Sequence, residues 1–259
     1  TEIERSAAVQ ALVIQAQTDD KWADPIITSF LRVLPDPLAS PQEAIIDGLL
    51  ELRKVRVSRE EEIFETIQET LDSPYPSVRS KVVDIWTRFS LKSDTKTSDT
   101  IAVLFEMLSD DDKDIRYQTQ ESLSKILHSV PKVALPELKN ALADDDWRVK
   151  YHSIVLLTEF ARKYPDPSLA LAPEVIVAFG SGERLKERAA DCIGMLGLTN
   201  PEAVKPAVPG LIKGLESKSS ELRKACATAL GRIGSKNGMA VYHAVPRLAR
   251  ARKNDDWYI

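Results

Sequence analysis

Three histidines, two cysteines and two acidic runs are the residues of this chain best suited to chemistry. A metal centre or an acid–base pair needs such groups clustered, or repeated at a ligand-like spacing. His128, His152 and His243 each stand alone, and none belongs to a His-Glu pair. Cys192 and Cys226 lie in apolar helical stretches with no Cys-x-x-Cys spacing, and read as buried free thiols in a reducing cytosol. The runs Asp110-Asp111-Asp112 and Asp144-Asp145-Asp146 lack the Asn, Gly and distal Glu of a calcium loop. Gly180, Ser181 and Gly182 read as a shortened hairpin turn, since neither a phosphate-binding loop nor a Gly-x-Ser-x-Gly elbow surrounds them. The residues therefore predict a non-enzymatic chain with no catalytic residue, no cofactor and no metal.

The elements that would carry these residues are helices. Hydrophobic residues make up 43% of the chain and charged residues 29%, a balance that favours a folded core over disorder. Aromatics are only 6%, while Ala, Leu, Glu and Lys are abundant, which favours helix over strand. No stretch approaches the ~20 apolar residues of a membrane span, and no charged-then-apolar leader opens the chain. A cytoplasmic protein is the expectation.

Self-similarity is the strongest signal. The phrase Leu215 to Gly234 ends one helix, turns through polar residues and starts a second helix at Leu222-Arg223. It recurs as Leu71…Val78-Arg79, Leu108…Ile115-Arg116 and Leu142…Val149-Lys150. The position of the base can be followed through Arg5, Gln42, Arg79, Arg116, Lys150, Lys186 and Arg223, at spacings of 37, 37, 37, 34, 36 and 37. Mostly apolar residues follow three and seven places on, such as Val82 and Trp86 or Cys226 and Leu230, which marks one face of an amphipathic helix. A second ladder, Pro136, Pro173, Pro209 and Pro246, recurs at 37, 36 and 37 and predicts a proline early in the first helix of each repeat.

A period near 37, a proline in the first helix, an acidic turn and an apolar-Arg start to the second helix resemble HEAT repeats. The likeness is nearest to the short bacterial and archaeal kind also called phycobilisome-lyase-like repeats. It covers the whole chain but thins over residues 1–60, where Pro41-Gln42 replaces the apolar-base pair. The resemblance implies an all-α fold, a right-handed α-solenoid of about seven HEAT-type helical hairpins. A single solenoid over 1–259 is expected, with second helices starting near 5, 42, 79, 116, 150, 186 and 223. It also implies that Asp110 with Arg116, and Asp144 with Lys150, link neighbouring turns along the stack.

Function is read from the same resemblance and from charge. Second helices line the concave binding surface of such stacks. Residues one, two and five places after each base are expected to be exposed there, among them Tyr117, Gln118, Glu121, Tyr151, His152 and Lys224. Trp147, at the turn of its repeat, is either a partly exposed anchor or packing for the next repeat. Net charge is −4 overall, so bulk electrostatics do not favour a polyanion. Its distribution is uneven: residues 201–253 hold eleven Lys or Arg against three Glu, a net +8, and residues 1–73 hold seven bases against fifteen acids, a net −8. The basic end, including Arg247 and Arg250, fits a protein partner with an acidic segment. Nucleic acid is the second reading, by resemblance to HEAT-like DNA glycosylases, although no aromatics interleave the basic patch to stack bases. A phycobilin-lyase-type enzyme is the third. The first reading is a protein–protein interaction scaffold.

The chain opens inside what reads as a second helix and closes at Asp255 to Ile259, which aligns with Asp145 to Val149. The expectation is a piece of a longer stack.

Overall fold

A computed structural model describes residues 1–36, 41–91 and 97–251. The closing motif at 255–259 lies outside the described residues, as do Arg252 and Lys253 of the basic stretch. The chain divides into two compact units, residues 1–89 with 112–118, and residues 90–111 with 119 onward.

The first unit contains α1 (Glu2–Thr18), α2 (Ala23–Val33), α3 (Gln42–Leu52), α4 (Glu60–Glu69) and α5 (Pro76–Ser90). The second contains α6 (Thr97–Glu106), the greater part of α7 (Lys113–Ser129), α8 (Pro131–Ala143) and α9 (Trp147–Lys163). It continues through α10 (Pro165–Ser168), α11 (Ala172–Ser181), α12 (Glu183–Thr199), α13 (Pro201–Val204), α14 (Val208–Gly214), α15 (Ser220–Lys236) and α16 (Val245–Ala251). No strand occurs among the described residues.

The seven second helices are α1, α3, α5, α7, α9, α12 and α15. In six of them the ladder base is the fourth residue of the helix: Arg5, Arg79, Arg116, Lys150, Lys186 and Arg223. In α3 Gln42 is the first. Starts are fixed by local caps that satisfy otherwise unpaired amides. Asp146 accepts from the Arg148 amide at 2.7 Å, Ser219 from the Leu222 amide at 3.1 Å, and Asp112 from the Asp114 amide at 2.8 Å. The acidic turns therefore act as caps, and Gly182 alone separates α11 from α12.

The proline ladder marks where first helices break. Pro173, Pro209 and Pro246 are each the second residue of their helix, and a short helical turn precedes each. Proline lacks the amide that would bond backwards, so the preceding turn cannot continue smoothly. Pro136 differs, sitting inside a continuous α8.

The expected turn-to-turn linkage needs correction at Lys150. Lys150 makes no hydrogen bond or ion pair among the described residues, so the Asp144–Lys150 pair does not form. Arg79 instead donates to the Ser73 carbonyl at 2.7 Å and Arg223 to the Ser217 carbonyl at 2.9 Å, each six residues back in its own turn. A cross-repeat link lies two places earlier, where Arg148 bonds Asp146 at 2.8 Å and Asp111 at 2.9 Å. These carboxylates hold the guanidinium above its usual range, Asp146 first. A short lysine at the ladder position does not reach what an arginine fork reaches.

Where the first unit lacks a base, a buried relay stands in. Gln42 is 3% exposed, donates from Nε2 to the Leu34 carbonyl at 2.9 Å, and accepts from the Ser73 hydroxyl at 2.7 Å. Ser73 is the same residue whose carbonyl receives Arg79, so one turn is tied to helices on either side. Beside it, Phe64 packs on Phe89 with ring centroids 4.3 Å apart and on Trp86 at 5.0 Å, closing this unit's aromatic core.

Candidate partner-binding surface

On the second unit, α9 and α12 present paired aromatic and cationic side chains. Trp147 opens α9 beside its cap Asp146 and is 42% exposed, and the Arg184 guanidinium lies 4.5 Å from its ring centroid. One turn further on, Arg188 donates from Nε to the Tyr151 hydroxyl at 3.0 Å and sits 5.7 Å from that ring. The hydroxyl bond is the main cause holding the Arg188 guanidinium above its usual range. Each aromatic is thus held by an arginine of the next repeat; Arg184 is exposed, and Tyr151 and Arg188 are half-buried. Such planar, pre-oriented groups can stack on a partner's side chains or receive its carboxylates at low entropic cost.

His152 does not belong to the exposed set. It is 4% exposed, with Nδ1 2.7 Å from the Gln120 amide oxygen and its ring edge-on to Tyr151 at 5.2 Å. Adjacent second helices cross close enough here to cover the position two after the base. Glu121 and Lys224 are exposed as expected. Arg250 is exposed, and Arg247, also exposed, bonds Glu216 at 3.1 Å. Tyr117 and Gln118 fall in the first unit: Tyr117 is 56% exposed, while Gln118 is half-buried and donates to the Ser80 carbonyl at 3.1 Å and Asp84 at 3.0 Å.

Of the remaining chemistry-bearing residues, His128 has hydrogen-bond partners, both cysteines are buried, and His243 is exposed with its ring edge-on to Tyr242 at 5.8 Å. His128 Nδ1 bonds the Ser124 carbonyl at 2.6 Å, and the His128 carbonyl receives the Tyr164 hydroxyl at 3.1 Å. Burial pushes both thiols up to about 12, with the Thr158 hydroxyl opposing it at Cys192. A thiol so placed is almost wholly protonated near neutrality and makes a poor nucleophile. Ellman's reagent at pH 8 should therefore label neither cysteine in the native protein and both in guanidinium chloride. Fast labelling of either without denaturant would contradict the burial.

Residues 64–158 match a family model described as HEAT repeats, and residues 183–233 match one for a HEAT-like repeat. The chain is a HEAT-repeat protein. Its fold is an all-α solenoid of helical hairpins, as in several solved structures it resembles. It is similar to importin beta crystallised in an ammonium sulfate condition, with a TM-score of 0.59 and 15% identity over 97% of this chain and 36% of that one. It is similar to a chain of a Kap95:Nup1 complex, with a TM-score of 0.54 and 14% identity over 95% of this chain and 35% of that one. A designed armadillo repeat protein gives a TM-score of 0.50 and 15% identity, covering 73% and 93%. The HEAT chain thus spans about a third of the length of the first two of these chains. No curated protein matches it at a significant level. No helix among the described residues is long and apolar enough to cross a membrane.

Sequence reasoning passed over Arg184 and Arg188. The repeat register could have found them, because each lies 37 residues after the aromatic it holds, Trp147 and Tyr151.

Proposed function

We propose that this HEAT-repeat chain is a non-enzymatic cytoplasmic scaffold. It binds a protein through the α9–α12 face of the second unit, with the basic residues toward its C-terminal end adding contacts. The observation that supports this is the pair of part-exposed aromatics, Trp147 and Tyr151, each held by an arginine of the next repeat. Tryptophan, tyrosine and arginine are the residues that most often dominate binding energy at protein interfaces. Glu121, Lys224, Arg247 and Arg250 are the charged groups set to choose the partner, an acidic segment suiting the net +8 of residues 201–253. Solenoid folds of this kind commonly serve as interaction scaffolds, and one of the similar solved structures is itself a complex of two named proteins. Two buried free thiols suit a reducing compartment.

The test is affinity capture from native lysate, with and without nuclease, using wild type and the Trp147→Ala/Tyr151→Ala double variant. A discrete protein retained after nuclease treatment, and weakened at least about tenfold by the double variant at unchanged helicity, is the expected result. Retention that vanishes with nuclease would favour the nucleic-acid reading, which rests on the local positive charge and predicts a steep salt dependence. Equal retention by the double variant would move the binding face elsewhere.

A further inference from the structure

The first unit holds a groove of about 610 Å³ between α1 and α3, reached also by Lys81 of α5. Its floor is apolar: Val9 and Val13 of α1 face Ala44 and Gly48 of α3, and the 63%-exposed Ile14 stands at the edge. Its rim is acidic, with Glu2 on one helix and Glu43, Asp47 and Glu51 on the other. Two of these carboxylates are already engaged, Asp47 by Lys81 at 2.6 Å and Glu51 by Lys54 at 2.8 Å. Glu2 and Glu43 are exposed and have no partner among the described residues. The surrounding stretch, residues 1–73, carries a net −8.

We propose that this groove is a docking site for a basic peptide segment of a protein partner, one bearing apolar side chains between its lysines or arginines. The floor accepts the apolar side chains, with room for a few of them in a volume typical of binding clefts. The rim supplies three carboxylates along α3 and Glu2 at the start of α1, where Gln10 and Gln17 add neutral hydrogen-bonding groups, so the peptide's cations meet negative charge chiefly along α3. Lys81 shows that a lysine ammonium fits this rim, because it reaches Asp47 from the neighbouring second helix at ion-pair distance. An acidic segment or a nucleic acid would face like charge along the α3 edge and at Glu2. This site is separate from the aromatic–arginine face of the second unit, and each can fail without the other.

The probe is a fluorescein-labelled peptide that alternates Lys and Arg with Leu, read by anisotropy against the full chain. One control replaces every Lys and Arg by Glu, and another replaces every Leu by Ser. The wild type should bind the basic–apolar peptide and neither control. Glu2→Lys/Glu43→Lys should weaken binding at least about tenfold, since two attractions become repulsions at exposed, unpaired positions. Ile14→Ser should weaken it several-fold, and Lys81→Ala, by freeing Asp47, should strengthen it. Trp147→Ala/Tyr151→Ala should leave it unchanged, which separates this site from the other surface. No binding, equal binding of the acidic peptide, or indifference to Glu2→Lys/Glu43→Lys would overturn the proposal. So would sedimentation showing that the chain self-associates through the groove, because a second copy would then be its occupant.

Discussion

Gly194→Ala is expected to lower the stability of the second unit by about 1–3 kcal/mol, although alanine is the better helix former. Gly194 lies where the backbone of α15 comes close to α12. A methyl group there would stand 2.7 Å from the Ala229 Cα and 3.1 Å from its Cβ. The obstacle is backbone, which cannot rotate away, so the helices must separate and loosen the seam of Ala189, Ile193, Ala225 and Ala229, all buried. Gly231, on α15, supplies the control. A methyl group there meets nothing within 4 Å, so Gly231→Ala should raise stability by about 0.5–1 kcal/mol through helix propensity alone. Thermal unfolding followed by circular dichroism separates the two, at about 2–4 °C per kcal/mol for a chain of this size. If both substitutions stabilised the protein, the close approach of α12 to α15 would be wrong.

Gln42→Leu is expected to cost about 3 kcal/mol. The substitution keeps the bulk of the side chain but strands two buried groups, the Leu34 carbonyl and the Ser73 hydroxyl, and each unsatisfied group costs about 1–3 kcal/mol. Leu34 is 0% and Ser73 5% exposed, so water does not replace the lost bonds. A double-mutant cycle with Ser73→Ala measures the relay itself. Removing both partners at once should cost clearly less than the sum of the single changes, because the stranded hydroxyl is then gone as well. Additive losses, or a single-variant loss well under about 1 kcal/mol, would show that Gln42 does not act through Ser73. The position matters because it is the one place on the ladder without a base. The glutamine reaches back to a carbonyl eight residues earlier, whereas Arg79 and Arg223 reach back six.

The surfaces differ in how legible they were. Tyr117, Glu121 and Lys224 are exposed where counting from the ladder base put them, because exposure one and five places on follows from a single helix's turn angle. His152 sits two places on and is buried, while Lys224 sits one place on and is open. The boundary between those positions is set by the neighbouring helix and its side chains, here Gln120 of α7. The acidic groove was visible only as a net charge over residues 1–73. Nothing along the chain shows that Glu2 of α1 and Glu43 of α3 line one groove.

By itself the sequence determined the period near 37, the all-helical class and a proline early in three of the first helices, while the structure starts the second helices three residues before the base in six repeats, which makes the base the fourth residue. These are local matters: caps, the missing proline amide and the 3.6-residue turn act within a few residues. The repeat register brings Arg184 near Trp147, Arg188 near Tyr151 and Arg148 near Asp111, but tertiary structure decided that these pairs touch and that Gln42 and Ser73 share a bond. Those partners lie 31 to 37 residues apart. Their meeting depends on the distance and crossing of adjacent second helices, which side-chain packing sets and no single helix encodes.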